Sequence, residues 1–136
     1  METDLEKLYQ NYVAAWSTRD IEAVVSFFTD DCVYEDVALG VLNRGASEVR
    51  AFVQATLAAI PDFKIEPKSV FATVGRLGSE WIMSGTQTGD FPGLPATGKA
   101  FTVPVASIME FHNGKIRRNT DYWNLASFLQ QVGAMA

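Results

Sequence analysis

Asn113-Gly114-Lys115-Ile116-Arg117-Arg118-Asn119-Thr120-Asp121-Tyr122-Trp123-Asn124 is the stretch that decides the fold. Asn-Gly is the strongest short hairpin signal, because both central residues of a type I′ turn need positive φ. A strand therefore leaves Gly114. Alternation along it predicts one face of Arg117, Asn119, Asp121 and Trp123 and another of Ile116, Arg118, Thr120 and Tyr122. An acid between an amide and an indole is a poor way to build a core and a reasonable way to line a pocket. Asp121 is thus the first candidate for chemistry.

Upstream of that hairpin no long helical period interrupts the chain back to Phe63, and residues 65–74, 80–89, 101–111 and 115–123 read as four successive strands. Their connections are Gly75-Arg76-Leu77-Gly78, the longer stretch Asp90 to Lys99, and His112-Asn113-Gly114, links short enough to favour an antiparallel meander. The middle link is rich in Pro and Gly and longer than a hairpin needs, so it is expected to pack over an opening or against a partner. Downstream, Asn124 is placed to cap a last helix over 125–132, with Gly133 as its stop.

The N-terminal half is helical. Leu5, Leu8, Tyr9, Tyr12, Val13 and Trp16 recur at helical spacing, and Asp20 is an N-cap for a short second helix over 21–28. Thr29-Asp30-Asp31 then reads as a turn into a first strand over 32–37, which carries Cys32, Tyr34 and Asp36 on one face and supplies a second candidate carboxylate. A loop with Gly40 and Gly45 leads to a third helix over 46–60, ended by Pro61. Helices first and strands afterwards imply a single α+β domain over 1–136, its helices covering one face of a curved, cone-like antiparallel sheet that leaves a hollow for a small molecule.

Composition narrows the function classes. A net charge of -5 opposes phosphate backbones and anionic membranes, so nucleic acid and membrane partners are not expected. The acidic, polar start lacks the pattern of a signal peptide, no apolar run suffices to span a bilayer, and one cysteine allows no intrachain disulfide. A cytoplasmic location fits. One His and one Cys make a nitrogen- and sulfur-ligated metal site improbable.

The segments Phe27 to Asp36, Gly85 to Lys99, Gly114-Lys115-Ile116 and Asp121-Tyr122-Trp123-Asn124 resemble the nuclear-transport-factor-two-like (cystatin-like) superfamily, and within it the SnoaL-like polyketide cyclases and ketosteroid isomerases. That resemblance implies a cone-like sheet wrapped by three N-terminal helices and a short C-terminal one, and a homodimer formed by the sheet's outer face. It also implies two competing acid/base assignments. The cyclases place theirs on a late strand, matching Asp121. The isomerases place theirs after the first strand with a helix 1 tyrosine in the oxyanion hole, matching Asp36 and Tyr12. The isomerases' protonated aspartate donor, part of a standard worked example of pKa tuning, is matched here by Ser107.

Polyketide cyclisation and enone isomerisation both require a base for a weak carbon acid and a donor for the enolate oxygen, with neither metal nor organic cofactor. Tyr34, Asn119, Gln87 and Ser107 are further polar candidates, and Trp16, Trp81, Met83, Met109 and Trp123 are candidate walls for a polyketide, steroid-like or terpenoid ligand. Each has a plainer reading. Asp121 could cap the last helix or pair with a surface arginine, Asp36 could sit near Arg44, and the aromatic and methionine residues could be core. The leading expectation is a cofactor-free cyclase or isomerase, of lyase or isomerase class. The alternatives are a binding or dimerisation module, and an epoxide hydrolase using Arg117 or Arg118 with the acids.

Overall fold

The computed structural model describes residues 4–91 and 93–134. The chain runs α1 (Asp4–Ser17), α2 (Ile21–Val25), β1 (Phe28–Asp36), β2 (Val41–Arg44), α3 (Gly45–Ala59), β3 (Lys64–Thr73), β4 (Arg76–Thr86), β5 (Ala100–His112), β6 (Lys115–Trp123) and α4 (Leu125–Gln131). The local signals act as expected. Asp20 accepts a hydrogen bond from the Ala23 N–H at 3.2 Å and Asn124 one from the Ser127 N–H at 3.0 Å, each satisfying an orphan donor at a helix start. Asn113 and Gly114 have φ of 50° and 76°, as a type I′ turn requires.

The six strands form one sheet in the order β2-β1-β6-β5-β4-β3. The meander β3-β4-β5-β6 is antiparallel throughout, but β1 lies parallel to β6, with Tyr34 opposite Asn119 and Asp36 opposite Asp121. Burial alternates along β5, where Phe101, Val103, Val105, Ser107 and Met109 are buried and Thr102, Pro104 and Ala106 are exposed. The concave face so defined receives Tyr9, Tyr12 and Trp16 of α1 and Val49 and Val53 of α3, which make the core. Among the described residues no helix is long and apolar enough to cross a membrane.

Phe28 begins β1 rather than ending α2, Arg76 to Gly78 belong to β4 rather than to a connection, and three further local expectations fail. Residues 41–44 form the edge strand β2 rather than a loop; it pairs along the full length of Val33 to Asp36, and four residues are too few to show a period. Thr29 to Asp31 belong to β1 rather than to a turn, and they occupy the stretch where the β1–β6 register shifts between Phe28 and Val33. The third concerns Arg117. Glu110 pairs with Arg118 but Phe111 pairs with Ile116, so Arg117 is the extra residue of a bulge. Alternation is broken there. Ile116 is 1% exposed and joins the core, while Arg117 leaves the Asn119 face and reaches Asp31 at 3.7 Å in solvent. Arg118 and Tyr122 do lie on the convex face, as does Thr120, buried between Glu35 and Ile108.

Candidate active site

The concave face of β6 and its neighbours borders a cavity of about 480 Å³, within the size range of small-molecule sites. Its floor and walls are mostly apolar: Trp16 and Trp81, Phe52 of α3 and Ile60 at its end, Val105, and Phe128 of α4. Leu39, Ala51 and Gly93 line it and are also exposed, which marks where it opens. Two acids face into it, Asp36 and Asp121, each only 5% exposed. Among the described residues no Lys, Arg or His contributes to its lining.

The parallel pairing of β1 with β6 is what makes the acids neighbours. They are direct register partners, so their strands hold them about 4.8 Å apart at the backbone. Their surroundings differ. Asp121 accepts from the Tyr34 hydroxyl on Oδ2, and on Oδ1 from the Ser107 hydroxyl at 2.6 Å and the Asn119 amide at 2.9 Å. The Trp81 indole N–H donates to Ser107 Oγ at 2.9 Å, which leaves the serine's own proton for the carboxyl. Asp36 accepts from the Trp123 indole N–H at 3.0 and 3.1 Å on its two oxygens and from the Leu39 N–H at 2.9 Å.

Burial dominates both acids. It pushes Asp36 up from 3.8 to about 6, against the opposing pull of the Leu39 and Trp123 donors. It raises Asp121 as well, against the Ser107, Tyr34 and Asn119 donors, and it holds the Tyr34 hydroxyl well above an ordinary phenol, with the Asp121 charge adding to the effect. A proton entering Asp121 meets an Oδ1 already occupied by two donors. Oδ2, which accepts from Tyr34 alone, is the less occupied position, and protonation there frees the Tyr34 hydroxyl to donate elsewhere.

Of the residues singled out in the sequence, Trp16, Tyr34, Asp36, Trp81, Met83, Asp121 and Trp123 line this cavity. Tyr12, Ser107, Met109 and Asn119 instead line a chamber of about 20 Å³ behind Asp121, room for about one water molecule. Tyr12 is 4% exposed, packed edge-on against Phe27 and Phe28, and does not reach the larger space. Gln87 corrects its expectation more sharply. It is fully buried outside both hollows, its amide occupied by backbone carbonyls of the 88–99 link. The sequence reading did not single out Phe52 and Thr56 of α3, Ile60 just after it or Phe128 of α4, because apolar residues at helical spacing do not tell core from cavity wall. Arg117 and Arg118 are absent from the lining, so no arginine bridges the two acids. Among the described residues no group of three or more His, Cys, Asp or Glu gathers to hold a metal ion.

A curved six-stranded sheet with helices over its concave face and acids in the hollow defines the ketosteroid isomerase-like, nuclear-transport-factor-two-like class, and solved structures agree. A candidate polyketide cyclase from Xanthomonas campestris pv. campestris superposes with a TM-score of 0.86 at 24% identity, covering 95% of this chain and 96% of that one. Another from Pseudomonas putida KT2440 gives 0.81 at 25% identity over 96% and 98%. A protein of ketosteroid isomerase-like fold from Catenulispora acidiphila DSM 44928, in complex with trimethylamine, gives 0.82 at 23% over 93% and 92%. The SnoaL-like polyketide cyclase model matches residues 6–132, and the chain belongs to that family. No curated protein matches it. Family membership supports a small-molecule cyclase- or isomerase-type role.

Proposed function

We propose that the protein is an acid/base enzyme that enolises an uncharged, hydrophobic carbonyl compound, with Asp36 as base and Tyr34, backed by protonated Asp121, as donor to the enolate oxygen. The observation that carries this is the register partnership of two buried carboxyls opening into one apolar cavity. Two such acids resist ionising together, so one serves as base while the other keeps its proton. Asp121, raised by burial in spite of its three donors and bordering the inner chamber, is taken as the proton holder, while Asp36 bonds Leu39 at the mouth. Asp36, near 6, is ionised at neutral pH and still more basic than an ordinary aspartate.

In the step proposed, Asp36 takes a proton from the carbon next to the carbonyl. The C–H pair becomes the enolate double bond, and the charge arriving on oxygen is met by the Tyr34 O–H. Return of the proton to a different carbon completes an isomerisation; attack of the enolate carbon on a second carbonyl, whose π electrons go to its oxygen and take the proton held by Asp36, completes a cyclisation. The absence of cationic side chains from the lining supports an uncharged ligand, since a carboxylate or phosphate would enter beside two acids without a counter-ion. The trimethylamine complex of the Catenulispora protein supports small-molecule binding in this fold. We carry into this reading a homodimer through the convex face, where Phe71 and Tyr122 are 62% and 47% exposed; sedimentation as a monomer at every concentration overturns that part.

Exchange of the α-protons of 1-tetralone in D₂O, followed by proton NMR, tests the chemistry. Wild type is expected to accelerate exchange above buffer, with a rate rising as Asp36 ionises through about pH 6, and Asp36→Asn to abolish the gain. Binding of the ketone without accelerated exchange would overturn the catalytic reading and leave a binding module.

A further inference from the structure

The 88–99 link has almost no regular pairing of its own, yet it supplies part of the cavity wall through Phe91, Gly93 and Leu94. Beside the Phe91–Leu94 bridge and the Ala96 N–H bond to Asp90 at 2.7 Å, its arms are held by a side chain that never touches the cavity. Gln87 is 0% exposed, and its amide nitrogen lies 3.4, 3.3 and 3.1 Å from the carbonyl oxygens of Gly89, Leu94 and Pro95, while its Oε1 accepts the Thr97 hydroxyl at 3.0 Å. Its backbone closes the neck of the link, donating to Lys99 O at 3.0 Å and accepting from the Gly98 N–H at 2.8 Å. One residue therefore satisfies polar groups from both arms. A buried amide with this many partners is a costly feature to place without a purpose, because each partner it loses is left unpaired.

The wall it holds leads to the acids. The Phe91 ring meets Phe128 edge-on at 6.4 Å, Phe128 meets Trp123 at 5.7 Å, and the Trp123 indole N–H is the donor to Asp36. We propose that Gln87 is a positioning residue that determines specificity: it fixes the Phe91–Leu94 wall, thereby limiting the bulk of ligand admitted, and through Phe91, Phe128 and Trp123 it holds Asp36 in place. This rests on reading the cavity as a ligand site, and it goes beyond that reading in naming what sets its dimensions. Removing the amide takes its bonds from both arms at once, leaving the Ala96 N–H bond to Asp90 at 2.7 Å and the Phe91–Leu94 bridge to hold them, and the wall loosens.

The test compares wild type, Gln87→Met, which keeps the volume without the hydrogen bonds, and Phe91→Ala, which keeps Gln87 and removes the ring. Two uncharged fluorescent probes, 2-naphthol and the bulkier 1-hydroxypyrene, are titrated into each, and the Asp36 and Asp121 carboxyls are titrated by NMR. Both substitutions are expected to change the ratio of the two dissociation constants by about fivefold or more in favour of the bulkier probe. Both are also expected to displace the Asp36 titration while leaving that of Asp121 in place. A folded Gln87→Met protein with unchanged probe ratio and unchanged Asp36 titration overturns the proposal. Should Gln87→Met not fold, an unchanged Phe91→Ala does so instead. If wild type binds neither probe, the ligand-site reading fails, and the Asp36 titration alone decides whether Gln87 positions the acid.

Discussion

The two faces of β6 carry the same kinds of residue to opposite ends. On the convex face Arg118 donates to Glu110 at 3.0 Å with both side chains about two-fifths exposed, so the pair keeps its water and gains little from contact. On the concave face Asp121 has no cationic partner among the described residues and is 5% exposed, and its side-chain contacts are to three uncharged groups. The difference lies in solvent and not in residue type. An acid that keeps its water is a surface group whatever it pairs with, whereas an acid stripped of water becomes sensitive to every donor and to the acid beside it.

The sharpest way to break this contrast is chemical. Asp36→Asn should lower 1-tetralone exchange by about 10²- to 10⁴-fold, the range of a positioned general base. Tyr34→Phe removes the proposed oxyanion donor and should cost about 10²- to 10³-fold in the same assay, with Asp121 titrating higher still for want of one donor. Replacement of Arg118 by Ala should leave exchange unchanged.

Stability should show the same division. Asp36 titrates at about 6 when folded against an ordinary 3.8, so the folded state holds its proton more tightly than the unfolded chain. Its contribution is fully present below about pH 3.8 and is lost as pH rises through about 6, an effect of about 3 kcal/mol at most. Urea denaturation of wild type and Asp36→Asn between pH 4 and 8 reads it: the variant should gain on wild type as pH rises, and parallel pH profiles would remove the desolvated acid. Ser107→Ala should cost about 1 to 3 kcal/mol in the same measurement, since it strands the buried Trp81 N–H and takes a donor from Asp121. Arg118→Ala, the smallest change, should stay within about 1 kcal/mol and shrink further in salt.

Much of this was legible beforehand because it is local. The Asn113-Gly114 turn, the caps at Asp20 and Asn124 and the helical stripe of Tyr9, Tyr12 and Trp16 are each set by residues a few positions apart, and all appear in the structure. Parity along β6 worked from Asn119 to Trp123, where pairing with β5 is regular, and failed at Arg117, where one extra residue reverses it. Residue type alone also misread Gln87, since an amide suited to a ligand serves equally well to pin a loop. The resemblance assigns Tyr12 the oxyanion role, but its position behind Asp121 leaves Tyr34 as the phenol hydroxyl in contact with that acid.

By itself the sequence determined the succession of helices and strands, the hairpin that starts β6, the family, and the presence of two acids at strand positions suited to a pocket. Only the tertiary structure decided that the acids are neighbours. Asp36 and Asp121 lie 85 residues apart and meet because β1 pairs in parallel with β6, a contact that no turn connects and no local propensity encodes. Their loss of water was decided there too, because desolvation depends on what α1, α3 and α4 lay over the sheet and not on the residues beside each acid in the chain.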